Sequence, residues 1–189
     1  ISSGSGKWSW QFQDGYQTYA SYCAQELDAD FSAIAASGHG VIAGNDNRTK
    51  LISTYWDKTG INGGTWDFSY DADIVVINLG TNDYFLNKDK DPTMCKPEEV
   101  QKMTEQFIKH VRDCYGKDIP IVWAYGFVGT FLYDNIKGAI DKLGGEEEGI
   151  YMIEVPKNTG GAQGHPTVEG HRAAADKLLP LIKEILGIN

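Results

Sequence analysis

The sequence predicts an α/β protein, a three-layer α/β/α sandwich built on a mostly parallel sheet. Four short apolar runs rich in Val and Ile recur along the chain, and segments with apolar residues at helical spacing separate them. Such near-continuous apolar runs are typical of parallel strands that helices cover on both faces. The 189 residues, 41% of them apolar, suit a single domain over 1–189 with one hydrophobic core.

The predicted strands are short and bounded by Gly, Asn or Asp. Each is too short for a helix and is enriched in apolar residues, which favours a buried strand. In chain order the predicted strands are 29–37 (ADFSAIAAS), 72–80 (ADIVVINLG), 119–126 (IPIVWAYG) and 149–155 (GIYMIEV).

The predicted helices fill the gaps between these strands. Pro97 with Glu98 and Glu99 is typical of a first helical turn, where a missing N–H costs nothing and negative charge meets the positive helix end. The predicted helices are 16–27, 97–115, 130–143 and 168–186. The segment 38–71, rich in Gly, Asn, Thr and Trp, is too long for a simple connection and indicates a functional loop with short helical pieces.

The start of the chain does not fit the pattern. A doubly wound sheet normally opens with a strand, whereas residues 1–6 (ISSGSG) resemble a loop and lead into the first helix. We therefore expect a flavodoxin-like sheet of five strands, the first of which is supplied from before residue 1.

The net charge of −9 argues against nucleic acid as a partner, since the Lys and Arg residues are scattered. No apolar run approaches the ~20 residues that a membrane-spanning helix needs, and no signal-peptide pattern is visible at the start. The three cysteines, Cys23, Cys95 and Cys114, form no CxxC pair and have no His at zinc-finger spacing, so a structural metal site is not predicted. A bridge between Cys95 and Cys114 and a set of reduced thiols both remain open.

The peptide 77–83 (INLGTND) leaves a predicted strand at its carboxyl end, where open parallel sheets bind ligands. The amide of Asn82 could stabilise a developing oxyanion there. Alternatively, Asn82 and Asp83 form an Asx-turn that ends the strand.

The peptide 160–171 (GGAQGHPTVEGH) joins the last predicted strand to the last predicted helix. His165 precedes a helix that Pro166 or Thr167 can open, so its imidazole is a candidate catalytic base. His171, His39 and His110 fit structural roles better, although His39 lies near the expected ligand-binding edge.

Gly38 follows the predicted strand 29–37 in the peptide Ser37-Gly38-His39-Gly40. A glycine at this position lets a backbone N–H approach an anion. A tight turn that needs a positive φ is the alternative.

Together these three peptides resemble the SGNH hydrolase family over most of the chain. Gly38 resembles the glycine of its second block, Gly80-Thr81-Asn82-Asp83 its third, and His165-Pro166 its last. The spelling VINLGTND, with SGxG before it, is most similar to the family 2 carbohydrate esterases, which deacetylate plant cell-wall sugars. The resemblance implies a secreted protein without a cofactor, often carrying an N-terminal β-sandwich module.

The first block of that family ends in a nucleophilic serine followed by Ile or Leu, small residues and Gly. Residues 1–4 (ISSG) match that tail, so the resemblance implies a nucleophile immediately before Ile1, together with the first strand. A modified residue that breaks the pattern, a companion segment that carries the serine and the strand, and a sequence that simply starts there all remain open. Ser2 is the best placed fallback, ahead of Ser3 and Ser5.

Ala162 stands where the family usually has the aspartate of its catalytic triad. Nδ1–H of His165 therefore needs another acceptor, such as a carbonyl in 160–162 or the side chain of Gln163. Some family 2 esterases are similar in using only a Ser–His dyad, and we expect a dyad here.

The implied reaction is acyl transfer to serine, with His165 as the base and an oxyanion hole made by Gly38, Asn82 and the nucleophile's own N–H. Trp66, Trp56 and Tyr84 are candidate sugar contacts, with packing as the alternative for each tryptophan, whereas Trp123 lies in a strand and fits the core. The rival functions are a lysophospholipase or thioesterase of the same fold and a non-catalytic carbohydrate-binding derivative.

Overall fold

The computed structural model describes residues 14–44, 51–60, 62–84 and 96–188. The fallback nucleophiles Ser2, Ser3 and Ser5, the proposed companion strand and Cys95 lie outside the described residues. Of the other two cysteines, Cys23 is buried, Cys114 is half-buried, and both are free thiols.

The described residues form one sheet of three strands, β1 (Val75–Ile77), β2 (Ile121–Tyr125) and β3 (Ile150–Glu154), in the order β1-β2-β3. Strands β1 and β2 are parallel, with Val75 opposite Ile121 and Ile77 opposite Trp123. All five residues of β2 are buried, as expected for a parallel strand that is covered on both faces. The predicted α/β class is confirmed, and the strands are shorter than predicted.

The strand predicted over 29–37 is wrong. Residues 29–36 have no regular secondary structure, and most of them are exposed. A strand exists only when another strand takes up its N–H and C=O groups, and no described strand pairs with this segment. Of the five strands predicted, the described residues therefore contain three.

The described α-helices are α1 (Tyr19–Leu27), α2 (Pro97–Tyr115), α3 (Tyr133–Lys142) and α4 (Val168–Leu186), and short 3₁₀ turns lie at Gly15–Gln17, Ile52–Thr54, Gly145–Glu148 and Ala162–Gly164. Two of the α-helices have a side-chain cap at the N-terminus. In α1, Thr18 Oγ1 accepts the Ser21 N–H at 3.2 Å, and in α4, Thr167 Oγ1 accepts the Gly170 N–H at 3.2 Å. The turn at Ile52–Thr54 is one of the helical pieces expected in the loop 38–71. Among the described residues, no helix is long and apolar enough to cross a membrane.

The described chain divides into two compact units. The first comprises residues 14–33, 124–130 and 153–188, and α1 packs on α4 within it. Its core includes Ala174, Ala175 and Leu178 of α4. The Arg172 guanidinium lies 3.9 Å from the ring centre of Tyr22 and 3.2 Å from the Glu26 carboxylate.

The second unit comprises residues 34–44, 51–60, 62–84, 96–123 and 131–152, and α2 packs on α3 within it. Ile108 and Val111 of α2 and Ile136 of α3 are buried in its core. Trp123 is fully buried and donates from Nε1 to the Leu79 carbonyl at 3.2 Å, which confirms its predicted place in the core.

Candidate active site

Asn82 lies in a helical turn that follows β1 in the second unit. Its side-chain amide donates to the carbonyl oxygen of His39 at 2.9 Å. An amide nitrogen carries two hydrogens. The bond to His39 fixes the plane of the amide and leaves the second N–H for another acceptor.

Asp83, the next residue, has a buried carboxylate with only 1% of the residue exposed. Three consecutive backbone N–H groups donate to it: Val41 at 3.1 Å, Ile42 at 2.6 Å and Ala43 at 3.0 Å. Burial raises the pKa of Asp83, and the bonds from Ile42, Ala43 and Val41 act in the opposite direction. The Asx-turn proposed as an alternative does not describe these bonds, which reach about 40 residues back along the chain.

The turn before these N–H groups contains Gly38 and Gly40. Gly38 has a φ of +76°, which confirms that a positive φ is needed here. A Cβ on Gly40 would lie 2.5 Å from Asp83 Oδ2 and would also overlap the Ala43 carbonyl oxygen. Only glycine fits at position 40 while the Asp83 carboxylate occupies its place. The imidazole of His39 itself packs edge-on against Tyr55, with Nδ1 3.0 Å from the Ser37 carbonyl.

His165 belongs to the first unit and follows the 3₁₀ turn Ala162–Gly164 after β3. The imidazole is exposed, and its Nδ1 lies 2.9 Å from the carbonyl oxygen of Ala162. Because a carbonyl oxygen can only accept, this contact places a proton on Nδ1, and in the neutral imidazole Nε2 then has the lone pair. This carbonyl is one of the acceptors expected in place of the absent aspartate.

Asn158 organises the loop that carries His165, a role that the sequence did not indicate. Its side-chain oxygen accepts the Thr167 N–H at 2.8 Å, and its backbone N–H donates to the Phe127 carbonyl at 2.9 Å. A Cβ on Gly170 would overlap the Asn158 side chain, so glycine is needed there for close packing. The Gly161 N–H also donates to the His165 carbonyl at 2.9 Å, which closes the loop.

Proteins similar to this chain in sequence or fold include carbohydrate esterases. The cellulase/esterase CelE of Acetivibrio thermocellus is 30% identical over 186 residues, which is 93% of this chain and 22% of that protein. A family two carbohydrate esterase of Clostridium thermocellum, solved as an active-site mutant in complex with celluohexase, has a TM-score of 0.86 at 27% identity, covering 100% of this chain and 59% of that one. The chain is therefore similar in sequence and fold to the SGNH-type family 2 carbohydrate esterases.

A third relative shares the fold of this SGNH domain. The acetyl xylan esterase from the rumen bacterium Butyrivibrio proteoclasticus has a TM-score of 0.86 at 22% identity, over 98% of this chain and 60% of that one. The SGNH domain thus spans 22% of CelE and about 60% of each solved relative, so those proteins contain substantial sequence beyond it. No protein-family profile matches the chain.

The aromatic candidates of the SGNH domain differ in exposure. Trp56 is 9% exposed and packs edge-on against Phe107 and Tyr115, which favours the packing alternative for this residue. Trp66 is half-buried, and its backbone N–H donates to the Asp57 carbonyl at 2.8 Å.

Tyr84 stacks on Phe131, with ring centres 3.9 Å apart and planes 3° from parallel. Phe131 is 50% exposed, one of the few large apolar side chains left in solvent among the described residues. The sequence did not indicate Phe131, because a single Phe at the start of a predicted helix has no distinguishing pattern.

The described site residues of the SGNH domain fall into two groups. Gly38 and Asn82 belong to the second unit, where the bond from Asn82 to His39 joins them, and His165 belongs to the first unit with its own acceptor, Ala162. That His165, Gly38 and Asn82 act on one substrate stays a prediction.

His171, the histidine assigned a structural role, is expected to make stability depend on pH. Its Nδ1 accepts the Tyr19 N–H at 3.3 Å, and its ring clusters with those of Tyr19 and Phe127, with ring centres 5.3 to 6.1 Å apart. Burial lowers the pKa of His171 to about 4 from its ordinary value of 6.5. The unfolded chain then binds more protons than the folded chain between these values, so the free energy of unfolding should rise with pH from about 4 to about 6.5 and then level off.

Urea unfolding at several pH values across this range measures the effect. His171→Asn keeps an acceptor for the Tyr19 N–H but cannot titrate, so it should flatten the rise, whereas His110→Gln on α2 should leave the rise intact. Equal slopes in the two variants would show that His171 is not the source.

Proposed function

We propose that this SGNH domain belongs to a serine carbohydrate esterase that removes O-acetyl groups from plant cell-wall polysaccharide, xylan or glucomannan, through a Ser–His dyad. The observation that carries the proposal is the contact of His165 Nδ1 with the Ala162 carbonyl at 2.9 Å. It gives the imidazole the tautomer of a general base without a carboxylate partner. The names of the relatives, which include an acetyl xylan esterase and family 2 carbohydrate esterases, support the same activity.

In the first half of the proposed reaction, Nε2 of His165 takes the proton from the serine hydroxyl while the serine oxygen attacks the acetyl carbon. The serine is the one expected immediately before Ile1, with Ser2 as the fallback. The carbonyl oxygen becomes an oxyanion that the Gly38 N–H, the second N–H of the Asn82 amide and the N–H of the serine stabilise. When the C–O bond to the sugar breaks, the sugar oxygen takes the proton from His165 and leaves as an alcohol.

In the second half, water replaces the sugar. His165 removes a proton from the water as the water oxygen attacks the acetyl-enzyme, and the same donors stabilise the second oxyanion. The serine oxygen leaves and takes the proton back from His165. Acetate is released and the free enzyme is regenerated, so no cofactor or metal enters the proposed cycle.

The substrate in this proposal is a sugar chain, and stacked aromatic rings suit the C–H faces of sugars. Trp66 and Tyr84 remain the proposed contacts, and Phe131 joins Tyr84 as the exposed member of the stacked pair. Trp56 is buried against Phe107 and Tyr115 and is not proposed as a sugar contact. Such polymers are too large to enter a cell, so the proposed place of action is extracellular. A companion N-terminal segment carrying the serine belongs to the same proposal.

Phe131→Ala is expected to raise KM for acetylated oligosaccharides about threefold to tenfold, because a well-placed aromatic contact contributes about 0.5 to 1.5 kcal/mol. Hydrolysis of 4-nitrophenyl acetate, which has no sugar, should keep its KM. Phe31→Ala is the matched control, since Phe31 is 44% exposed in the first unit. An equal loss on both substrates would contradict a sugar contact.

The function is tested on the full-length protein with four substrates: acetylated xylan, acetylated glucomannan, a long-chain 4-nitrophenyl ester and a lysophospholipid. Release of acetate from the polysaccharides, with little turnover of the long-chain substrates, is the expected result. Preference for the long acyl chains would favour a lysophospholipase or thioesterase. Binding of polysaccharide without any ester hydrolysis would favour a carbohydrate-binding derivative.

A further inference from the structure

Asp83 is a buried charged group to which the proposed chemistry assigns no role. Among the donors to its two oxygens are three successive backbone N–H groups: Oδ1 accepts from Ile42 and Ala43, and Oδ2 accepts from Val41. Three successive N–H groups that converge on one carboxylate form the kind of concave arrangement that commonly binds anions. Here the anion is a side chain of the same chain.

The hydrogen bonds that residues 41–43 donate to Asp83 hold the C-terminal end of the loop 38–43. The other end is held by its neighbour Asn82, whose amide donates to the His39 carbonyl at 2.9 Å. Between these two attachments lies Gly40, against which Asp83 Oδ2 packs so closely that a Cβ would stand 2.5 Å away. Two adjacent residues after β1 thus hold both ends of a six-residue loop that contains Gly38.

We propose that Asp83 is the positioning residue of the oxyanion hole. By accepting the N–H groups of 41–43, it fixes the position of the loop 38–43. The loop in turn places the Gly38 N–H and the His39 carbonyl, which orients the Asn82 amide. The inference rests on the proposed function, because it needs an oxyanion for these donors to meet. Donors for an oxyanion must be placed before the reaction begins, since their value lies in needing no reorganisation. A carboxylate buried beneath the loop meets that need without contacting the substrate.

A purely structural role for Asp83 predicts something different. The carboxylate would then stabilise the fold, and its loss would lower the melting temperature with no special connection to Asn82. A positioning role predicts that the effects of changing Asp83 and Asn82 on kcat are coupled. A double-mutant cycle separates the two cases.

The first test measures kcat and KM of Asp83→Asn, Asn82→Ala and the double variant in the full-length protein. The substrate is 4-nitrophenyl acetate, and the assay temperature is well below the melting temperature. Asparagine has the shape of aspartate but carries an NH₂ group in place of one oxygen, so at least one of the three N–H groups loses its acceptor and the hold on the loop weakens. We expect Asp83→Asn to lower kcat about tenfold to a hundredfold with KM changed less than threefold. In the Asn82→Ala background, the factor by which Asp83→Asn lowers kcat should be at least five times smaller, because the amide that Asp83 orients is already gone.

Thr104→Val is the matched control. Thr104 is 1% exposed in the same unit and lines the same small apolar cavity as Asp83, yet it lies outside the loop 38–43. It should lower the melting temperature and leave kcat unchanged. Its effect on kcat should also be the same in the Asn82→Ala background as in the wild-type protein. Additive effects of Asp83→Asn and Asn82→Ala would overturn the proposal.

The second test needs no activity. Amide hydrogen exchange should show protected N–H groups at 41–43 in the native protein and faster exchange there in Asp83→Asn, with α2 and α3 unchanged. Unchanged protection at 41–43 would overturn the positioning role by itself. If the wild-type protein hydrolyses no ester, the proposed esterase function fails and the positioning role falls with it, whereas loss of protection would still show the loop to be held by Asp83.

Discussion

Replacing His165 with alanine should lower kcat for acetyl ester hydrolysis about a thousandfold, the largest effect on activity expected of any single described residue. General base catalysis contributes about 10²- to 10⁴-fold, and this histidine serves both halves of the reaction. The imidazole is exposed, so the variant should keep its melting temperature. Steady-state kinetics with 4-nitrophenyl acetate and a thermal melt of the same sample measure the two quantities.

His110→Ala is the matched control for this change, because His110 lies on α2 with no role in the proposed reaction. It should retain full activity. If His165→Ala keeps more than a tenth of the activity, His165 is not the base, and the dyad is wrong even though the fold and the family assignment stand.

Replacing Trp123 with alanine is the change expected to cost the most stability, about 3 to 5 kcal/mol in the free energy of unfolding. The side chain is fully buried on β2 and packs edge-on against Phe107, with ring centres 6.4 Å apart. Its removal leaves a cavity and also deprives the Leu79 carbonyl of the Trp123 N–H. Urea unfolding followed by circular dichroism gives the free energy.

Two further variants calibrate that result. Trp123→Phe keeps most of the apolar volume and should lose clearly less than the alanine variant. Trp66→Ala, in a half-buried loop position, should lower the free energy of unfolding less than either Trp123 variant. A loss below about 1 kcal/mol in Trp123→Ala would contradict a core role for this ring.

For helices with a strong apolar periodicity, the sequence predicted the first and last residues correctly. The helices predicted over 97–115 and 168–186 have those bounds in α2 and α4. Apolar residues recur at helical spacing in both, and the hydrogen bonds of a helix are local. The two shorter helices and the three observed strands were predicted in the right places with longer bounds.

The strand predicted over 29–37 failed because a strand depends on a partner. Its composition suits a strand, but backbone groups in a sheet pair with residues that are far away along the chain, and no local pattern specifies them. The core strand β2 was predictable because its apolar run was long enough to require burial on both faces.

The candidate site residues were chosen from the sequence by residue type and position, and their contacts could not be predicted. Asn82, Gly38 and His165 were indicated because each follows an apolar run, where ligands bind in parallel sheets. The Ala162 carbonyl beside His165 was one of several acceptors expected nearby. Asn158 and Phe131 were not indicated, since each matters through a partner that sequence spacing does not reveal.

The sequence by itself determined the α/β class, the long helices and the family resemblance, because apolar period and short motifs are local properties of a chain. Only the tertiary structure decided what Asp83 does. Its carboxylate meets the N–H groups of Val41, Ile42 and Ala43 across about 40 residues. Such a pairing arises when folding removes the carboxylate from water and leaves it those donors as partners, and no spacing in the sequence specifies that outcome.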